Sequence, residues 1–184
     1  MTTIENNDVL KGYYGARVYY TTNSYIANNS FYGNYYGLYN YYGGMNIFFN
    51  NTVERAQYYG IYNYRSDNNE YYSNMIKDNA WPYNTELGYY GAYLYYSDLT
   101  IWQDNIFENC GLRLYATSTA SEWNSHSFIN NTVNGKPLYY IAFQNNVVVP
   151  SDAGQVIITD SSNILVQDAD LSNATQGVTV TRSD

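Results

Sequence analysis

One cysteine, one histidine, three prolines and eight basic residues are all that 184 positions contain of those types. A lone Cys110 cannot close an internal disulfide. His126, Met1, Met45, Met75 and Cys110 are scattered too widely to form a thiolate or imidazole cage, so neither a metal nor another cofactor is expected. Charged side chains make up 13% of the chain, against roughly 25% in soluble proteins, and sixteen acidic residues leave a net charge of −8. That sign repels phosphate backbones and anionic membrane surfaces, which argues against nucleic acid as a partner. No run approaches the roughly 18 apolar residues of a membrane-spanning helix, so membrane insertion is not expected. The opening "MTTIENNDVL" has no apolar signal core, and an exported protein would have shed its targeting segment. The length suits one domain with its own core.

What is present is just as uneven. Tyr and Asn occur 26 times each, and 23 of the Tyr precede residue 100. A glycine after an aromatic pair recurs at Gly15, Gly37, Gly60 and Gly91, with spacings of 22, 23 and 31, the last being one repeat plus an insertion. Fainter copies stand at Gly111, Gly135, Gly154 and Gly177. Between them, in fixed phase, lie "NNSF" (28–31), "NNTV" (50–53), "DNIF" (104–107) and "NNTV" (130–133). Short alternating runs rich in Tyr, Val, Ile and Phe, punctuated by Asn and Gly, are the pattern of strands and turns, and no helical periodicity competes with it. About 22 residues is too short for a helical repeat and fits one rung of three short strands and three bends.

Alternation after each glycine places Ala16 and Val18, Leu38 and Asn40, Ile61 and Asn63, Ala92 and Leu94, Leu112 and Leu114, and Val178 and Val180 inward. The outward set is then Arg17, Tyr39, Tyr62, Tyr93 and Arg113, followed by Tyr19, Tyr41, Tyr64, Tyr95 and Tyr115. Rungs stacked about 4.8 Å apart turn these into vertical columns on one face, with the pairs 13–14, 35–36, 58–59 and 89–90 forming more columns at the preceding bend. Asn29, Asn51, Asn105 and Asn131 fall at rung corners, where the residue tolerates left-handed backbone and can bond to neighbouring rungs. The expected fold is all-β: a single-stranded parallel β-helix solenoid of about seven rungs. One domain spans 1–184, with Tyr-rich rungs over 1–110, a loop insertion near 77–88 marked by Trp81-Pro82, and Val/Ile-rich rungs over 111–184. It reads as a fragment or unit of a longer or stacked solenoid.

The segments "NNSFYGNYYGLYNYYGGMNIFFNNTV" and "NGKPLYYIAFQNNVVVPSDAGQVIITDSSNILVQDADLSN" resemble the right-handed parallel β-helix repeats of NosD-like proteins. These belong to the pectin-lyase-like group of carbohydrate-binding and sugar-hydrolase domains, and the likeness is closest to versions abundant in archaeal cell-surface proteins. The resemblance implies a right-handed coil and an extracellular or cell-surface home. It leaves activity open, because the fold carries lyases, hydrolases, epimerases, adhesins and inert spacers. NosD-like proteins are often labelled copper-related, and this chain lacks a recurring ligand spacing for it.

Lyases and hydrolases on such a coil need clustered carboxylates. Asp168 and Asp170, two apart and so expected on one side of a strand, are the catalytic candidates, with Asp160 and Asp152 before them and Arg182 as the nearest base. The competing reading is an inert acidic surface. His126 reads as a surface or turn residue, and Trp81, Trp102 and Trp123 fall in different rungs. Sequons at Asn28, Asn50, Asn130 and Asn173 are candidate glycosylation sites. The Tyr columns admit three readings: a sugar-binding strip, a surface for packing against other copies, or a stabiliser of the coil. The leading expectation is a non-enzymatic structural module of a cell-surface layer, sheath or fibre, self-associating through its Tyr face or open ends. A carbohydrate-binding module taking a polysaccharide or glycan, and a polysaccharide lyase or hydrolase, are the alternatives.

Overall fold

The computed structural model describes residues 1–79, 90–117 and 119–184. Most of the expected insertion, Trp81-Pro82 included, and Tyr89 lie outside them. The first turn runs through strands Thr3–Glu5, Asp8–Leu10 and Tyr14–Tyr19, and each later turn lays equivalent strands parallel upon these. Six strands stack on the first face, from Thr3–Glu5 to Ser127–Ile129, and five on the third, from Tyr14–Tyr19 to Leu112–Tyr115. The protein is a parallel β-solenoid with one four-residue helix, Ser121–Asn124, among the described residues.

Three-residue strands allow one inward side chain per turn on the first two faces. On the first, Ile4, Ile26, Phe48, Tyr71, Trp102 and Phe128 pair in register. On the second the column is Val9, Phe31, Val53, Ile76, Phe107 and Val133. Inside, rings stack on rings: Phe48 on Tyr71 at 4.7 Å and Tyr71 on Trp102 at 3.9 Å between centroids. The six-residue strands of the third face carry two inward positions, and Leu38, Asn40, Ile61, Asn63, Ala92, Leu94, Leu112 and Leu114 are all buried there.

Corners are left-handed. Asn6, Asn28, Asn50, Ser73, Asp104 and Asn130 have φ between 50 and 58°. Asn6, Asn28, Asn50, Ser73 and Asp104 each donate their N–H to a carbonyl one turn on, as Asn28 does to Phe49 at 3.0 Å. The following residue points inward, and there Asn29, Asn51, Asn74, Asn105 and Asn131 form a buried amide ladder. From Asn29 to Asn105 each Nδ2 donates to the next Oδ1 at 2.9–3.0 Å, with Asn7 joining below and Asn131 Nδ2 donating to the Trp102 carbonyl. The glycines of the third face answer a close approach. A Cβ on Gly37 would sit 2.5 Å from the Gly60 carbonyl oxygen, and one on Gly91 would lie 2.7 Å from that of Gly111.

After Val133 the phase expected from the sequence breaks. Gly135 does not open a rung. Asn134 (φ 54°) and Gly135 (φ 76°) form a tight hairpin that turns strand Lys136–Ala142 back antiparallel to Thr132–Val133. Lys136–Ala142, Gln155–Thr159 and Val178–Thr181 are then parallel to one another and enclose a second core of Ile141, Val149, Ala153, Val156 and Ile158. Gln155–Thr159 is buried at every residue because Ile157 faces the first core while Val156 and Ile158 face the second. Val178 and Val180, expected inward, are 42% and 60% exposed. They stand in register with Val156 and Ile158 at the uncovered margin of the second core.

Candidate functional site: the tyrosine face

The third face carries the columns the alternation requires. Arg17, Tyr39, Tyr62, Tyr93 and Arg113 are paired turn by turn, as are Tyr19, Tyr41, Tyr64, Tyr95 and Tyr115. Two further columns, Tyr13, Tyr35, Tyr58 and Tyr14, Tyr36, Tyr59, stand at the preceding bend, with centroids 4.9–6.0 Å apart. A column not foreseen follows the strands at their left-handed ends: Tyr20, Tyr42, Arg65 and Tyr96, with φ of 45–53°. Its only sequence signal was the doubled aromatic at 19–20, 41–42 and 95–96. Left-handed backbone is ordinarily assigned to Gly or Asn, which hid it.

In the first turns the rings of a column lie face to face. Tyr19 and Tyr41 are 5.2 Å apart at 10°, Tyr41 and Tyr64 4.9 Å at 19°, and Tyr20 and Tyr42 5.0 Å at 2°. Further along, Tyr62 and Tyr93 are tilted by 52°, and Tyr64–Tyr95 and Tyr95–Tyr115 meet edge to face at 68° and 77°, so ring faces are covered by parallel neighbours in the first turns and by ring edges in the later ones. Neighbouring columns touch as well, with Tyr39–Tyr41, Tyr62–Tyr64 and Tyr93–Tyr95 centroids 5.3–6.0 Å apart. Cations close the central column: Arg17 lies 4.3 Å from the Tyr19 ring, and Arg113 lies 5.4 Å from Tyr93. Arg65 sits between Tyr42 and Tyr96, its Nη1 donating to the Tyr42 hydroxyl at 2.7 Å.

Burial among other phenols pushes the Tyr36, Tyr59, Tyr62 and Tyr93 hydroxyls well above the usual range, and Tyr39 up to about 12. Tyr96 moves the other way, lowered by its hydrogen bonds with Thr117 and Tyr95 and by Arg65. At neutral pH the face is thus an uncharged hydroxyl array studded with three guanidinium groups.

The carboxylate candidates fare differently. Asp168 and Asp170 do not share a strand: the strand is Leu165–Val166, and Asp168 occupies a left-handed bend (φ 54°) beyond it. Asp170 is tied to Ser172 and to Lys136 Nζ at 2.9 Å, which hold its carboxyl down to about 2. Asp160 accepts from Asn124 and from Arg182, each at 2.8 Å, and Asp152 accepts from the Tyr139 hydroxyl. Asp152, Asp160 and Asp170 thus serve as structural acceptors. A cleft missed in the sequence gathers Asp67, Asp98, Glu122, Arg65, Tyr42 and Tyr96 around about 380 Å³. Partial burial there raises the Asp67 carboxyl, whose Oδ1 accepts the Asp98 N–H at 2.8 Å. Among the described residues, no three His, Cys, Asp or Glu side chains group as metal ligands.

Of the sequons, Asn28, Asn50, Asn130 and Asn173 are all exposed, and the ladder instead uses the second Asn of each "NN" pair. His126 is not a surface residue. It is buried, with Nδ1 2.8 Å from Thr100 Oγ1 and Nε2 3.1 Å from the Glu122 carbonyl.

A family model described as the right handed beta helix region matches residues 1–133. The chain belongs to that family. Comparison of this β-helix with the curated proteins and with the solved structures gives no match. The family match stops at the residue where the Asn134–Gly135 hairpin begins, so it covers the three-faced turns and leaves out the reversed segment.

Proposed function

We propose that this β-helix is a non-enzymatic structural module whose tyrosine face packs against another copy of the chain in a cell-surface layer, sheath or fibre. The carrying observation is ring orientation. A sugar stacks on a bare aromatic face, and here neighbours in the column pack against the rings, face to face from Tyr19 to Tyr64 and edge to face at Tyr95 and Tyr115, leaving an array of rims and hydroxyls. Such a surface offers large amphipathic area on side chains already fixed by stacking, so little further entropy is lost when it meets a partner. Asp152, Asp160 and Asp170 are each held by local donors and Asp168 lies in a bend off the strand, which does not favour an acid–base pair for glycan cleavage. An extracellular setting rests on the likeness to cell-surface β-helices.

Sedimentation velocity over a wide concentration range, with electron microscopy of the concentrated protein, tests the reading. Ordered oligomers are expected, and a Tyr41→Lys/Tyr64→Lys double variant with unchanged circular dichroism should lose them. A species that stays monomeric throughout removes the proposal. Binding on a glycan array that disappears in Tyr62→Ala and Tyr93→Ala would hand the face to carbohydrate recognition instead.

A further inference from the structure

In a strand, successive side chains point to opposite faces, so adjacent tyrosines are kept apart. Tyr71 and Tyr72 show this: the first is buried in the core and the second lies at the surface. At the third-face corners the second tyrosine is left-handed, and both rings project outward together. Tyr19 and Tyr20 have centroids 4.6 Å apart, Tyr41 and Tyr42 4.7 Å, and Tyr95 and Tyr96 4.1 Å. In the last pair the Tyr96 hydroxyl bonds Thr117 Oγ1 at 2.9 Å, and Arg65 lies 5.6 Å from the Tyr96 ring. Ring contacts along the column join Tyr95 edge to face to Tyr64, and Tyr64 by stacking to Tyr41 and Tyr19, with centroids 4.9–5.2 Å apart at each step.

We propose that the tyrosine face is a site of oxidative phenol coupling, and that the corner pair Tyr95–Tyr96 is where an intrachain carbon–carbon bond forms when a peroxidase and hydrogen peroxide act on the protein. Each phenol loses one electron and one proton. The two phenoxyl radicals join at ring carbons ortho to oxygen, and the displaced ortho hydrogens return to the oxygens as aromaticity is restored. The two electrons and two protons reduce one peroxide to two waters. A guanidinium beside Tyr96 favours loss of its proton, and the stacked column gives a radical formed elsewhere on the face a path of adjacent phenols to that pair. The linkage lies within one chain, so it stands independently of face-to-face packing.

The test is limited treatment of the intact protein with peroxidase and hydrogen peroxide, read by dityrosine fluorescence and by peptide mass mapping for loss of two hydrogens. Coupling at 95–96 should exceed that at 71–72 and 139–140 by about tenfold or more, since only the former pair is held together. In urea, where all adjacent pairs are equivalent, the preference should vanish. Tyr96→Phe, which keeps the ring and removes the phenol, should abolish that linkage. Equal yields at the three pairs in the folded protein, or no product at 95–96, overturn the proposal.

Discussion

A primary amide carries two donors and an acceptor, and a buried one is stable only when all of them are met. Asn51 meets them within the ladder. Its Oδ1 accepts the backbone N–H and the side-chain amide of Asn29, while its Nδ2 donates to the Ile26 carbonyl and to Asn74. Asn51→Leu matches the volume and strands these groups away from water, so a loss of about 3–5 kcal/mol is expected by urea unfolding. His126 is buried at a corner where its Nδ1 meets Thr100 Oγ1 of the preceding turn, and burial lowers its pKa to about 4. The unfolded chain binds that proton first as pH falls. Stability from this group is therefore complete above about pH 6.5, declines between about 6.5 and 4, and the loss amounts to about 3 kcal/mol. Urea midpoints at pH 7 and pH 4.5 should diverge in the native protein and draw together in His126→Asn, which keeps a polar side chain at that corner and removes the titration.

Strands of three residues give the first two faces a single inward side chain per turn, so each such residue carries a large share of its turn's cohesion. Trp102 is fully buried between Tyr71 and Phe128, and Trp102→Ala is expected to cost about 3–5 kcal/mol by chemical denaturation. On the third face the limit is space. A Cβ on Gly60 would come within 2.8 Å of Ile76 Cγ2 and of Asn79 Nδ2, so Gly60→Ala should lower the urea midpoint by the equivalent of about 1–3 kcal/mol, where an exposed strand glycine would gain from the change. These elements were readable because glycine, inward aliphatic and outward tyrosine repeat at one period from Gly15 to Leu114. The same parity failed at Val178 and Val180 once the Asn134–Gly135 hairpin had reset the direction of the chain, although Asn-Gly between apolar runs is itself a hairpin signal. Tyr20, Tyr42 and Tyr96 escaped notice because nothing in a tyrosine side chain announces left-handed backbone. Rung-to-rung bonds impose it, as in the Tyr42 N–H to the Tyr64 carbonyl at 3.0 Å.

At the scale of the whole molecule, two cores meet across Gln155–Thr159. The outer edge of Leu112–Tyr115 is closed there by a side chain: Gln155 Oε1 accepts the Leu112 N–H at 3.0 Å, and its Nε2 donates to the Leu112 carbonyl at 2.5 Å. Thr175 Oγ1 covers the neighbouring Gly111 N–H at 2.8 Å. A solenoid's cooperativity depends on interfaces between adjacent turns, so this amide couples the three-faced turns to the reversed segment. Gln155→Ala leaves both Leu112 groups unpaired in a buried setting, which costs about 2–4 kcal/mol and falls entirely on that interface. Every tryptophan of the chain precedes Val133, so tryptophan fluorescence follows the three-faced turns while far-ultraviolet circular dichroism follows both parts. The two probes should give coincident urea transitions in the native protein. In Gln155→Ala the dichroism should begin to fall first, as residues 136–184 melt away from turns that still shield Trp102. Transitions that remain superimposed in the variant would mean that Ile157 and the hairpin, without the Gln155 amide, suffice to hold the two cores as one cooperative unit.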